Sequence, residues 1–163
     1  MTADGAGLRI ERRPITHPDA ARLVEEVQAE YVVRYGGRDE SPIDVSEFAE
    51  PHGVFLVGYL DDVPVATAAW RWHATPDGVR GTPTAELKRM YVVEAWRNRG
   101  LARAMLAAVE ADARTARARS VILETGLKQP EAIALYLSSG YREIPGFGHY
   151  AHEEVSRSYA KEW

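Results

Sequence analysis

A short basic turn between an apolar strand and an alanine-rich helix is the part of this sequence best suited to chemistry. Its residues are Arg97, Asn98, Arg99, Gly100, Leu101 and Ala102. The first turn of a helix has backbone N–H groups without partners, at the positive end of the helix dipole. Gly100 allows close approach to the backbone, and Ala102 adds little bulk. The turn predicts a site for a phosphorylated ligand; the alternative is an ordinary solvated helix start.

The surrounding pattern predicts an α/β protein whose elements position this turn. Strands are expected over residues 8–15, 54–60, 63–72, 86–92, 120–124, 141–144 and 155–161. Helices are expected from Pro18 to the Gly36-Gly37 pair and over residues 45–48, 99–117 and 130–139. The order predicts an antiparallel N-terminal sheet followed by a strand–helix–strand segment with a parallel pair.

Composition narrows the functional classes. The 163 residues favour a single domain over residues 1–163, and 45% hydrophobic with 27% charged residues is typical of a soluble globular protein. The absence of long apolar runs and of a signal pattern predicts a cytoplasmic protein without a membrane partner. A net charge of −4 argues against nucleic-acid binding, and the lack of cysteine excludes disulfides and a cysteine acyl-enzyme.

A second motif follows the strand over residues 120–124. It runs from Gln129 through Ala132 and Tyr136 to Gly140-Tyr141. Together with the Glu-Leu-Lys-Arg-Met-Tyr-Val strand and the Arg-x-x-Gly-x-Ala turn, it resembles the GNAT superfamily of acyl-CoA-dependent N-acetyltransferases. The resemblance covers about residues 55–144, with the three motifs in the family's order. Ala102 and Arg97 stand where the family often has glycine and glutamine.

The resemblance implies a fold and a co-substrate. The fold would be a mixed, mostly antiparallel sheet with a splayed parallel pair, flanked by about four helices. Acetyl-CoA would bind with its pyrophosphate on the amides of the 97–102 turn, aided by the charges of Arg97 and Arg99. Its pantetheine arm would pair with the backbone of Met90, Tyr91 and Val92. Gln129, Ala132 and Tyr136 would lie along the thiol end.

The expected reaction is direct attack of an amine on the thioester in a ternary complex. An amine with a pKa of ~10.4 must first lose a proton, and the leaving thiolate benefits from a donor. By resemblance, the Val92 N–H is the oxyanion donor and Tyr136 the general acid. Glu86 is the general base, acting through water. The alternatives are a core-packing tyrosine at 136 and a solvated Glu86 paired with Lys88.

The acceptor is the least determined part of the prediction. Tyr31, Tyr35, Trp70 and Tyr150 are candidate acceptor-site residues, with the segment 146–150 as a further wall; each could instead simply pack. A small amine, an amino acid or a peptide terminus remains possible. The spacing of His73, His149 and His152 suits no metal motif, so no metal is expected.

Three further questions stay open at this point. A homodimer through the C-terminal strands would be common in the family. A non-catalytic acyl-CoA sensor is an alternative to an enzyme, and so is a transferase that uses a longer acyl-CoA donor.

Overall fold

A computed structural model describes residues 7–40 and 44–163, so residues 1–6 and 41–43 lie outside the described part. The strands are β1 Arg9–Arg12, β2 Gly53–Leu60, β3 Val63–His73, β4 Thr84–Val92, β5 Ser120–Gly126, β6 Arg142–Ile144 and β7 Ser156–Glu162. The helices are α1 Pro18–Tyr35, α2 Leu101–Thr115 and α3 Pro130–Ser138, with 3₁₀ turns at Val45–Phe48 and Glu94–Trp96.

The seven strands form one sheet in the order β1-β2-β3-β4-β5-β7-β6. Every neighbouring pair is antiparallel except β4 and β5, which are parallel. The predicted mixed sheet with a parallel pair is therefore confirmed. The expected count of about four helices is corrected to three α-helices and two 3₁₀ turns within the described residues.

Local chemistry accounts for where the elements begin and end. Pro18 opens α1, where its missing N–H costs nothing, and Nδ1 of His17 accepts the N–H of Asp19 at 3.1 Å. The two-residue turn between β2 and β3 has both residues left-handed, the geometry that suits a tight hairpin. Helix α2 is shorter than the predicted 99–117 because Gly100 and Arg117 have φ of 76° and 77°.

Alternating side chains of the sheet bury two apolar layers. Leu56 of β2 packs in the cluster that contains Met105 and Leu106 of α2. Its neighbour Phe55 packs in the cluster that contains Leu23 of α1. Successive side chains of a strand point to opposite faces, so α1 and α2 cover opposite sides of the sheet.

An irregularity in β4 separates it from β5. Arg89 has a φ of 54°, the register with β3 shifts beside it, and its carbonyl accepts the Thr67 hydroxyl at 2.7 Å. The β4–β5 ladder covers only Thr84–Glu86 against Ser120–Ile122 within the described residues. A bulge bends and twists its strand, so β4 turns away from β5 beyond Glu86 and leaves a gap.

In the described part of the chain, none of the helices combines the length and the apolar character required to cross a bilayer.

Candidate active site

The gap between β4 and β5 holds a small cavity of about 80 Å³, here called the inner cavity. Its walls come from both strands and from α3. They include Leu87, Lys88, Arg89, Met90, Leu123, Glu124, Thr125, Gln129, Ala132 and Tyr136. The structure thus brings together Gln129, Ala132 and Tyr136, which the sequence placed along the thiol end of the co-substrate, and Met90, which it placed along the pantetheine arm.

A larger cavity of about 400 Å³, the outer cavity, adjoins the inner one. Residues that line both are Tyr31, Asp39, Lys88, Glu124, Thr125 and Gln129. Three of the four predicted acceptor-site residues, Tyr31, Tyr35 and Tyr150, line the outer cavity. Burial and the nearby Asp39 carboxylate raise the pKa of Tyr31 to about 12, so its hydroxyl stays protonated at neutral pH.

Tyr150 connects the walls of the outer cavity. Its hydroxyl donates to Asp39 at 3.0 Å and accepts the N–H of Glu40 at 2.6 Å. Its own N–H donates to Glu124 at 3.3 Å. A Cβ placed on Gly148 would lie 2.0 Å from Oε1 of Glu124, so this segment is pressed against that carboxylate. Tyr150 therefore forms part of the cavity wall, whereas residues 146–149 do not line it and Phe147 packs against His73, which corrects the expectation that the whole segment is a wall.

Trp70 lies elsewhere. It is 2% exposed, packs in the cluster that contains α2, and its indole N–H donates to Asp112 at 2.7 Å. It lines neither cavity. The hypothesis that Trp70 lines an acceptor pocket is therefore corrected: alternation along β3 turns this side chain toward the core beneath α2.

Glu124, at the junction of the two cavities, is a titratable residue that sequence reasoning missed. Burial raises the pKa of its half-buried carboxyl, the charge of Glu86 raises it further, and the Lys88 ammonium opposes both effects. The available signal was an acidic residue closing an otherwise apolar strand, Ser-Val-Ile-Leu-Glu. That pattern indicates a functional residue only when the structure shows that the end of this strand lies beside a cavity.

Glu86 occupies a different environment from the one expected of a base. It is 2% exposed, and its Oε1 accepts the Nε–H of Arg71 at 2.9 Å. Arg71 in turn donates to Glu47 at 3.3 Å. Glu86 lines neither cavity. A buried carboxylate held by a guanidinium is poorly placed to receive an amine proton, so the structure does not support Glu86 in that role.

Tyr136 lines the inner cavity from α3 and is almost fully buried. Burial is the main cause that raises the pKa of its phenol, which keeps the proton in place. Its ring packs edge-on against Tyr141, with centroids 5.7 Å apart. Beside it, Nε2 of Gln129 donates to the Tyr35 hydroxyl at 3.3 Å, which links α3 to α1.

The end of β4 directs backbone groups into the gap. The N–H of Val93 donates to Val65 of β3 at 2.9 Å, so alternation turns the N–H and C=O of Val92 toward the β5 side. By the same alternation the N–H and C=O of Tyr91 point toward β3, where it is paired with Thr67, and its side chain lies on the α1 face. The expectation that the backbone of Tyr91 pairs with the pantetheine arm is therefore corrected.

Arg97 is positioned differently from expectation. Its Nε donates to the Val92 carbonyl at 2.9 Å, and its Nη2 lies 2.7 Å from Glu30 of α1. The guanidinium is therefore committed to β4 and α1. This corrects the expectation that its charge adds to that of Arg99 at a phosphate.

The start of α2 has the backbone geometry of an anion-binding site. Gly100 is the N-cap with φ 76°, no side chain caps the helix, and Asn98 is also left-handed at φ 63°. Arg99 is exposed, with its guanidinium 4.9 Å from the Trp96 ring centroid. A 15-residue helix beginning this way fits a diphosphate at the N–H groups of Leu101 and Ala102.

Histidines do not assemble a metal site. Among the residues described, no group of three or more His, Cys, Asp or Glu is arranged to hold a metal ion. His73 packs against Phe147, and His149 packs against Tyr150.

Comparison with known proteins agrees with this geometry. The model of the acetyltransferase (GNAT) family matches residues 20–141. An IAA acetyltransferase of Azospirillum brasilense is 30% identical over 135 residues, which span 83% of this chain and 84% of that protein. A candidate acyl-CoA N-acyltransferase of Klebsiella pneumoniae superposes with a TM-score of 0.78 at 25% identity, covering 96% and 98% of the two chains.

A second solved structure carries the co-substrate. It is a GNAT family acetyltransferase of Elizabethkingia anophelis with acetyl-CoA bound, which has a TM-score of 0.63 at 15% identity and covers 96% of this chain and 99% of its own. The present chain belongs to the GNAT family and is an N-acetyltransferase enzyme. Members of this family use acetyl-CoA and acetylate amine acceptors.

Proposed function

We propose that this enzyme binds acetyl-CoA across the start of α2 and the β4–β5 gap and transfers the acetyl group to an amine in the outer cavity. The observation that carries the proposal is the continuity of the two cavities at Glu124. An amine in the outer cavity and an acyl group in the inner one would meet beside this carboxylate.

Acetyl-CoA, when bound, supplies an activated acyl carbonyl and a thiol leaving group. Glu124 takes one proton from the acceptor ammonium and releases it to solvent, which leaves a neutral amine. The amine attacks the acyl carbon, the N–C bond forms as the C–S bond breaks, and the second nitrogen proton also leaves to solvent through Glu124. The N–H of Val92 donates to the carbonyl oxygen as it gains negative charge. Tyr136 donates its phenolic proton to the departing sulfur and is later reprotonated from solvent.

Tyr136 as the acid and the Val92 N–H as the oxyanion donor are the roles predicted from the sequence. The proposed base is Glu124 instead of the predicted Glu86. The support is positional, since Glu124 lines both cavities and Glu86 lines neither. Glu86 acts on the reaction only through its charge, which raises the pKa of Glu124.

The volume of the inner cavity favours acetyl over longer acyl donors. At about 80 Å³ it is small beside the roughly 300–1,000 Å³ typical of ligand pockets. A panel of acyl-CoA donors tests this inference. Acetyl-CoA should give the highest kcat/KM, and equal rates with a hexanoyl donor would contradict it.

The experiment that tests the enzyme assignment is CoA release from acetyl-CoA across a panel of amines, with Glu124→Gln as the informative variant. Loss of a general base typically lowers the rate by about 10²–10⁴-fold. The exposed Glu154, a neighbour in sequence of Glu153, provides the control variant Glu154→Gln. Parent-like kcat in Glu124→Gln would remove the base role. CoA binding without release with any amine would indicate a sensor.

The co-substrate site is tested separately by substitution at the start of α2. Ala102→Glu places a negative charge where a diphosphate would lie, although a carboxylate there suits the helix dipole of the free protein. Ala102 is partly buried, so folding of the variant is checked by chemical denaturation, and the dissociation constant of the folded variant for CoA should rise at least tenfold. Ala107→Glu, on an exposed position of the same helix, is the control. Equal CoA affinity in both variants would contradict the site.

A further inference from the structure

The charges around the outer cavity restrict the acceptor. Carboxylates of Asp39, Glu40, Glu124 and Glu153 line it, against the cations Arg38 and Lys88. The guanidinium of Arg38 holds both oxygens of Glu25, at 3.1 and 2.9 Å, outside the cavity. Asp39 is paired with the buried Arg89 at 2.7 Å. Three carboxylates, those of Glu40, Glu124 and Glu153, therefore line the cavity against one further cation, Lys88.

Lys88, the other cation that lines the outer cavity, also lies beside a carboxylate. The Lys88 ammonium is close enough to Glu124 to lower the pKa of its carboxyl. Lys88 therefore faces the same carboxylate that would receive the amine proton. A carboxylate on the acceptor, next to its reacting nitrogen, would meet Glu124 at the same point and be repelled.

The acidic residues also differ in depth. Glu124 is half-buried and lines both cavities, whereas Glu40 and Glu153 are exposed and line only the outer one. Tyr31, Tyr35 and Tyr150 supply aromatic walls of the outer cavity, and such rings suit an apolar ligand body. The ring of Tyr35 already has the Lys128 ammonium 5.7 Å from its centroid, so Tyr31 and Tyr150 are the rings suited to a cationic ligand.

We propose that the acceptor is a small cationic amine that carries no carboxylate next to its reacting nitrogen. The proposal rests on the function assigned above and narrows its acceptor class. Glu40 and Glu153 attract the ammonium at the opening, the tyrosines contact the carbon skeleton, and the reacting nitrogen reaches Glu124. Amino acids are disfavoured because their α-carboxylate accompanies the nitrogen into an acidic site.

Matched pairs of acceptors test the proposal directly. Each pair is an amino acid whose only aliphatic amine is the α-amine, and the amine left by its decarboxylation: tyrosine with tyramine, and tryptophan with tryptamine. CoA release from acetyl-CoA should give kcat/KM at least tenfold higher for the amine of each pair. Amino acids used as well as their amines, or a short peptide preferred over both, would overturn the proposal.

Variants of the two exposed glutamates of the outer cavity distinguish an electrostatic effect on acceptor binding from a general disruption of the site. Glu153→Gln and Glu40→Gln should each raise the KM for tyramine about threefold or more at low salt with little change in kcat. Glu154→Gln should leave the KM unchanged. Raising the salt concentration should raise the parent's KM toward that of the variants, because exposed charges are screened. An unchanged KM in both cavity variants would also overturn the proposal.

Failure of this inference is distinguishable from failure of the proposed function. Activity restricted to amino acids or peptides would leave the acetyltransferase reaction standing and reject only the acceptor class. Binding of acetyl-CoA without CoA release in the presence of any amine, amino acid or peptide would reject the proposed reaction, and the acceptor class with it.

Discussion

Two glutamates on the parallel strands, Glu86 and Glu124, have different surroundings despite their similar positions near the gap. Glu86 is held by Arg71 inside the protein, whereas Glu124 borders both cavities. The Lys88 ammonium and the Glu86 carboxylate act on the pKa of Glu124 in opposite directions. The ionisation of one side chain is thus adjusted by two charged neighbours on β4.

The first residue-scale prediction concerns pH. In the proposed mechanism Glu124 must be ionised to accept a proton, so kcat should fall as pH drops through its pKa, which burial raises above the ordinary value of 4.5. Lys88→Met removes a charge that lowers this pKa, so the midpoint of the acid limb should move up. Glu86→Gln removes a charge that raises it, so the midpoint should move down.

Profiles of kcat against pH, measured with saturating substrates, check these two shifts. Shifts of both variants in the same direction would mean that Glu124 is not the group that titrates. The amide in Glu86→Gln can still accept the Arg71 hydrogen bond, which limits damage to the buried pair.

A second residue-scale prediction concerns Tyr136. Tyr136→Phe removes the only polar atom that this side chain presents to the inner cavity and leaves the ring packed against Tyr141. We expect kcat to fall at least tenfold with little change in acetyl-CoA affinity. Steady-state kinetics together with calorimetric titration of CoA measure both. Unchanged kcat would assign Tyr136 to packing alone.

At the scale of elements, the end of β5 is fitted closely to α1. A Cβ placed on Gly126 would lie 1.8 Å from the hydroxyl oxygen of Tyr35 and 2.4 Å from its Cζ atom. Only glycine therefore allows the strand end and the tyrosine ring to occupy their present places. The shape of the outer cavity depends on this contact between the two elements.

Gly126→Ala should displace the Tyr35 ring and raise the KM for the amine by about threefold or more. Gly37→Ala is the matched control, since Gly37 also lines the outer cavity and a Cβ there meets nothing within 4 Å. Initial rates against amine concentration provide the measurement. A parent-like KM in Gly126→Ala would show that the ring position has no effect on the acceptor.

Sequence patterns predicted the elements well because their signals are local. Pro18, the Gly36-Gly37 pair and Asp61-Asp62 fix ends and turns through the conformations that these residues adopt. The bulge at Arg89 was not predicted, because an arginine in an apolar strand carries no local signal for a left-handed conformation. The positions of Glu124 and Arg97 depend on that bulge and on contacts with α1, so they also required the structure.

At the scale of the whole molecule, the apolar layer beneath α2 supplies much of the burial. Leu106 is 1% exposed and packs with residues of the sheet, whereas Val33 of α1 is 85% exposed. Truncation of a fully buried leucine removes transfer free energy and leaves a cavity, which together cost about 2–5 kcal/mol.

Leu106→Ala should therefore lower the free energy of unfolding by about 2–5 kcal/mol, whereas Val33→Ala should change it by less than about 0.5 kcal/mol. Chemical denaturation of both variants measures the difference. Equal stability of the two variants would mean that α2 contributes little to the stability of the fold.

Arg89 serves two parts of the enzyme at once. Its backbone conformation bends β4 away from β5, and its side chain holds Asp39, which contacts Tyr150 at the wall of the outer cavity. In the proposed function, a substitution of Arg89 therefore alters both the gap for acetyl-CoA and the wall of the acceptor cavity. Substitutions that change the acceptor preference alone are therefore expected at Tyr35, Glu40 and Glu153 rather than at Arg89.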